Sequence, residues 1–162
     1  MSDYSTLPAA PAEISPCAVL NHTLDSLAFR FYWATEGLTD GDLAFSPAEG
    51  AMTLARQMAH VRRLIQFTNI AMQNQKERVK EIEEDYATMR NGTFQAIDAL
   101  KETITGLGTD GLAKVESFGL PFWNLLNGPI TDCLAHTGQI NAYRRMLGKP
   151  SKQINYCTGQ VS

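Results

Sequence analysis

The chain has 162 residues, a length that suits one domain with a single sizeable core. With 44% hydrophobic and 19% charged residues it reads as an ordinary globular protein, and a net charge of −3 without a basic stripe excludes the electrostatic footprint of a nucleic-acid binder. Its apolar runs fall far short of the roughly 20 residues a membrane helix needs. Neither nucleic acid nor a membrane is therefore expected as a partner.

Residues 1–15 are rich in Ser, Pro and Ala and carry no basic stretch leading into an apolar one. They are expected to form an extended or disordered leader, not a targeting signal. Cys17, Cys133 and Cys157 are odd in number and lack framework spacing. Reduced thiols and a cytoplasmic location follow as the simplest expectation.

Four helical segments follow. The first is predicted over Ala18 to Gly37, where Leu20, Leu24, Leu27, Phe31 and Ala34 recur at three- and four-residue steps. A neighbouring stripe of His22, Ser26, Phe29 and Trp33 widens its apolar surface. Such width implies burial on more than one side, or contact with a partner subunit. Thr39 to Gly50 is a connector marked by Gly41, Pro47 and Gly50.

Thr53 reads as an N-cap for a second helix reaching Gln75, with Leu54, Met58, Val61, Ile65 and Ile70 facing the core. The charge run Lys76 to Asp85 reads as a solvated helix end or polar link. The third helix is predicted over Tyr86 to Leu107, with Met89, Phe94, Ile97, Leu100 and Ile104 inward and Gly106, Gly108 and Gly111 ending it. Pro121 suits the start of a fourth helix that runs to Leu147 and stops at Gly148-Lys149-Pro150. Pro129 lies inside it, where a kink or a junction of two short helices is expected, with Gly128 adding room. Residues 151–162 form a tail expected to pack on the bundle. The prediction is an all-α, four-helix bundle over residues 16–150, an architecture that builds metal sites between facing helices.

The chemistry concentrates in the fourth helix. Asp132 and His136 are four residues apart and share one helix face, an arrangement that grips a divalent metal from one side. Leu134, Ala135 and Ile140 suggest that this face is buried, where a carboxylate must be paired or metal-bound. The same spacing also arises from a simple Asp–His pair. Gln139 and Tyr143 continue the face. Gln139 reads as an orienting or pocket residue, or as a helix-packing hydrogen bond, and Tyr143 as core packing with its hydroxyl at the rim or as a pocket residue. His60, among Met58, Ala59, Val61 and Leu64, fits a third ligand or a satisfied core histidine. His22 has Asp25 beside it and is not expected to ligate, and Cys133 is expected to be a packed thiol. Two His and one carboxylate accept zinc, nickel, manganese or ferrous iron and leave coordination positions for water or substrate.

Asn127 to Pro150, NGPITDCLAHTGQINAYRRMLGKP, resembles the closing helix of the DinB/YfiT-like superfamily, with its H-x-G-Q signature. Thr53 to Val61, TLARQMAHV, is similar to that family's second helix, in which a cap precedes a ligand His by seven residues. The tail Ile154 to Gly159, INYCTG, is similar to the short extended motif that often follows. The resemblance covers nearly the whole chain after the leader. It implies a four-helix bundle that forms a homodimer and holds a divalent metal through His60, Asp132 and His136. Asp132 stands where a third His is commoner. The resemblance further implies a small-molecule substrate and a metal-dependent thiol transferase or hydrolase acting on a small electrophile. A low-molecular-weight thiol would be the cosubstrate, and Trp33, Gln139 and Tyr143 would line the pocket. The alternative is a non-catalytic metal-binding dimer, or a metal-free structural one.

Overall fold

The computed structural model describes residues 3–162. Helix α1, Pro16–Thr35, starts at Ser15, whose hydroxyl accepts from the Ala18 amide, so the cap lies just ahead of the predicted start. A single 3-10 turn at Asp40–Asp42 leads to α2, Leu54–Met72, capped by Thr53 as predicted. Helix α2 ends short of Gln75 because Asn74 adopts a left-handed φ of 56°.

Residues 73–85 then run without regular structure, so the charge run is a polar link and not a helix end. Asp85 caps α3, Tyr86–Leu112, by accepting from the Thr88 amide. The predicted stop is visible as a break inside α3 at Gly108 (φ 62°, ψ −179°), after which one more turn forms. A two-stranded hairpin follows, β1 Glu116–Ser117 against β2 Leu120–Pro121, with Ser117 opposite Leu120.

The last long helix is continuous but not uniform. A short α4, Phe122–Leu125, passes through a π turn, Leu126–Ile130, into α5, Thr131–Met146. Pro129 has no N–H and its ring would press on the carbonyl four residues back. The chain absorbs this by widening: the Thr131 amide reaches the Leu126 carbonyl five residues away, and the Thr131 hydroxyl bonds the same oxygen at 2.7 Å. A π turn therefore replaces the expected kink. Gly128 is not needed for space, since a Cβ built there meets nothing within 4 Å. Gly148 (φ 73°) ends α5 and the tail closes with the hairpin β3 Ile154–Asn155 and β4 Gln160–Val161.

The helices pack α2 on α3 and α5, and α1 on α3 and α5, around one core. The inward positions named from the sequence are buried, except Ile70, which is half-buried; Ala71 and Met72 take its place. Truncating a fully buried member such as Leu24 or Leu100 would cost on the order of 2–5 kcal/mol. The second stripe of α1 is covered by the chain's own ends. Phe29 meets Tyr156 of the tail edge-on at 6.5 Å, and the Trp33 indole donates to the Ser5 carbonyl of the leader at 3.1 Å. Tyr4 stacks on Phe94 with centroids 4.1 Å apart, so the described part of the leader lies against the bundle. Among the described residues no helix is long and apolar enough to cross a membrane.

Candidate metal centre

The site forms where α2 meets α5. On α5, Asp132, His136, Gln139 and Tyr143 fall at i, i+4, i+7 and i+11, one stripe of the helix. On α2, Gln57 and His60 are three apart and face it. The structure brings His60, Asp132 and His136 together, with one donor atom from each lying within 4.8 Å of the others. His60 Nε2 is 3.7 Å and His136 Nε2 3.5 Å from the same Asp132 oxygen, Oδ2. The two imidazoles meet edge to face at 4.6 Å.

The outer nitrogens fix what the inner ones present. His60 Nδ1 lies 2.6 Å from Glu81 Oε2. Burial alone would raise the Glu81 carboxyl, but hydrogen bonds to His60 and Arg56 and the charges of His60 and Arg63 outweigh it and hold the carboxyl below its usual range. An ionised carboxylate only accepts, so Nδ1 carries a proton, and in the neutral ring Nε2 is then the lone pair. His136 Nδ1 lies 2.5 Å from Gln57 Oε1 and 3.1 Å from Gln139 Oε1, again against acceptors. The Gln57 amide nitrogen in turn donates to Gln139 Oε1 at 2.7 Å, and sits 3.5 Å from the Tyr143 hydroxyl.

With both rings neutral, two imidazole lone pairs and a carboxylate oxygen converge on one point. That arrangement fits a cation. Donors bound at about 2.0–2.2 Å in a tetrahedral shell lie about 3.4 Å apart, close to the 3.5 and 3.7 Å found here.

One expectation is corrected. The Asp132 face is not buried: its side chain is 47% exposed, Ala135 is exposed and Leu134 half-buried. The inward face of α5 is instead Cys133, Thr137, Ile140, Tyr143 and Arg144. The triad thus sits at the rim, with both histidines mostly covered at 13% and the carboxylate open to solvent.

Gln139 is exposed as a residue and bonds Gln57 and His136, and Tyr143 is buried with its ring edge-on to Phe45 at 5.8 Å. The Trp33 indole engages Ser5 and Lys152 instead of any member of the triad. His22 stands apart from the triad, and Asp25, expected to serve it, is 3.9 Å away and bonds Lys101. Cys133 is fully buried with its thiol toward the Val61 carbonyl, and burial, then the Asp132 charge, pushes its pKa up.

Two residues escaped the sequence reading. Gln57 gave one usable signal, its place three residues before His60 on the same face. Glu81 sits in the charge run, and the hint was on α2: Arg56, His60 and Arg63 recur at i, i+4 and i+7, a stripe that a returning carboxylate would satisfy.

The architecture is thus a four-helix bundle with a three-donor, metal-type site between its second and last helices. It is similar to the crystal structure of a DinB-like protein from Bacillus cereus ATCC 10987, with a TM-score of 0.64 and 20% identity, over 84% of this chain and 97% of that one. The chain has a DinB-like fold. No protein-family model matches the sequence, and no curated protein matches it either.

Proposed function

We propose that the protein binds one divalent metal through His60 Nε2, His136 Nε2 and Asp132 and works as a metal-dependent enzyme. Its reaction would be thiol transfer to, or hydrolysis of, a small electrophile. The observation that carries this is the convergence of two imidazole Nε2 atoms and a carboxylate oxygen, with acceptors at both Nδ1 positions that select the tautomer able to ligate through Nε2. A bound divalent ion supplies Lewis acidity and lowers the pKa of a thiol or water beside it. The chain does the rest. Glu81 and Gln57 orient the two imidazoles, and the exposed Gln139 and the buried Tyr143 flank Gln57. The exposed side of Asp132 leaves an approach from solvent. Three protein donors are the pattern of catalytic zinc sites, whereas structural sites use four. The thiol cosubstrate, the homodimer and the pocket roles of Trp33, Gln139 and Tyr143 belong to this proposal and rest on the resemblance.

A metal-free ion pair between Asp132 and a protonated histidine accounts for the same proximity. It leaves Oδ2 at 3.5 and 3.7 Å from both nitrogens, too long for a hydrogen bond to either.

Elemental mass spectrometry on untagged protein tests the reading. It expects about one metal per chain in the wild type and loss in Asp132→Ala and His136→Ala, followed by thiol-dependent turnover of model electrophiles by the loaded protein alone. Protein that stays metal-free after incubation with zinc, nickel, manganese and iron would refute it. Equal turnover with and without metal would refute the catalytic part.

A further inference from the structure

The link between α2 and α3 reaches the site through a single side chain. Within residues 73–85 only Val79 and Glu81 are better than exposed, and Ile82 is half open to solvent. Apolar burial therefore does not hold the link down. Its attachments are polar: at its start Gln73 reaches Thr103 of α3 and Asn74 accepts from the Glu116 amide of β1, while those of residues 81–84 go to α2. Glu81 receives Arg56 Nε and Arg63 Nε at 3.2 Å each as well as His60 Nδ1, and Arg62 pairs with Glu84 at 2.5 Å and donates to the Ile82 carbonyl at 3.0 Å. Ion pairs that stay partly open to solvent, with Glu81 23% and Glu84 39% exposed, are individually modest, so the docked state of such a link responds to small changes at its anchors.

Arg63 also approaches His60 Nδ1, at 3.4 Å. A guanidinium can only donate. Without Glu81, Nδ1 would be left facing a donor, which favours the tautomer with its proton on Nε2, the wrong nitrogen for ligation.

We propose that Glu81 is a positioning residue that couples docking of the 73–85 link to metal binding. This rests on the metal-site reading above. With Glu81 seated, His60 offers Nε2 as a lone pair. A cation on Nε2 makes the Nδ1 proton a stronger donor to Glu81 and tightens the link. Reciprocity requires each event to favour the other by the same factor. The link is thus a control point for metal affinity, and anything that lifts it would loosen the metal.

Two measurements on the full chain test this. The first is metal affinity, by competition with a chromophoric chelator, for wild type, Glu81→Ala, Glu81→Gln and Glu83→Ala, the last an exposed neighbour on the same link. Glu81→Ala is expected to weaken binding about 10- to 100-fold, with Glu81→Gln in between and Glu83→Ala unchanged. The second is tryptic cleavage after Lys76, Arg78 and Lys80. Metal should slow it several-fold in the wild type and Glu83→Ala, and leave it unaltered in Glu81→Ala. Circular dichroism establishes that each variant is folded, and Glu81→Gln carries the test should Glu81→Ala not fold. Wild-type affinity in both Glu81 variants, or metal protection of the link that survives in them, overturns the coupling and leaves the metal site standing. A wild type that takes up no metal overturns the metal site and the coupling with it.

Discussion

Gln57 Oε1 lies 2.5 Å from His136 Nδ1, so a fully covered carboxamide on α2 fixes the ring of a candidate ligand on α5. The same amide's nitrogen is committed to Gln139 and faces Tyr143. Its orientation is thus set by partners on both sides, and it cannot turn without stranding a buried donor. Gln57→Leu keeps most of the volume and removes the acceptor. We expect metal affinity to fall about 10- to 100-fold, the usual loss when a ligand histidine's outer partner is removed, with the protein still folded. Chelator competition beside a thermal melt separates the two effects. Unchanged affinity would show that His136 needs no outer partner.

Asp132 is the only anionic member of the triad and the only one largely open to solvent. The resembling family more often carries a third histidine there. Asp132→His should therefore retain metal, with a preference shifted from manganese toward zinc or nickel, since imidazole is the softer donor. Asp132→Asn keeps the shape, gives up the charge and presents a neutral oxygen, so weaker uptake is expected. Isothermal titration with zinc and with manganese reads both. Equal manganese binding by wild type and Asp132→His would mean that Asp132 is not a ligand.

The sequence carried the bundle and its triad unevenly. Core positions were readable because the period of 3.6 is written in Leu, Ile, Met and Phe, and burial follows period closely in α1 and α3. Asp132 and His136 were readable because i, i+4 on a helix is already a spatial statement. The exposure of Asp132 was misjudged because Leu134 and Ala135 looked like its neighbours, whereas the π turn and the packing of α5 put Cys133 and Thr137 inward. Glu81 was out of reach for a different reason. The charge run holds five carboxylates, Glu77, Glu81, Glu83, Glu84 and Asp85, and periodicity says nothing about which one an irregular link folds back onto α2. The outer partners of a site lie where sequence patterning is weakest.

The three thiols should react in order of access. Cys157 is exposed, Cys17 half-buried and Cys133 fully buried, with burial raising its pKa. Native protein treated with an aromatic disulfide reagent should label Cys157 first and Cys17 more slowly. Cys133 should label only as the protein unfolds. Cys133→Ala should leave metal stoichiometry unchanged, because the side chain points to the Val61 carbonyl and not to the triad. Loss of metal in that variant would make the thiol a ligand and change the donor set.

Asp42 ties the connector between α1 and α2 to the chain just beyond α5. Its carboxylate accepts from the Thr39 amide at 2.8 Å and hydroxyl at 2.9 Å, and from Lys149 beyond α5 at 2.7 Å. The Lys149 hydrogen bond, with those from Thr39, outweighs burial and holds the carboxyl below its ordinary value. A carboxyl whose pKa is lower folded than unfolded stabilises the protein fully above the unfolded value, about 3.9. That contribution fades as pH falls from there through the folded value. Lys149 is 42% exposed, so solvent screens part of its share, while the bonds from Thr39 lie on the covered side of Asp42. Asp42→Asn should therefore lose about 1–3 kcal/mol near pH 7. It should also lose part of the wild type's acid sensitivity, so that the two stabilities converge below pH ~4. Urea unfolding of both proteins from pH 7 down to pH 3 gives the comparison. Parallel pH profiles would mean that Asp42 titrates alike in the folded and unfolded chains and that its bonds contribute no pH-dependent stability.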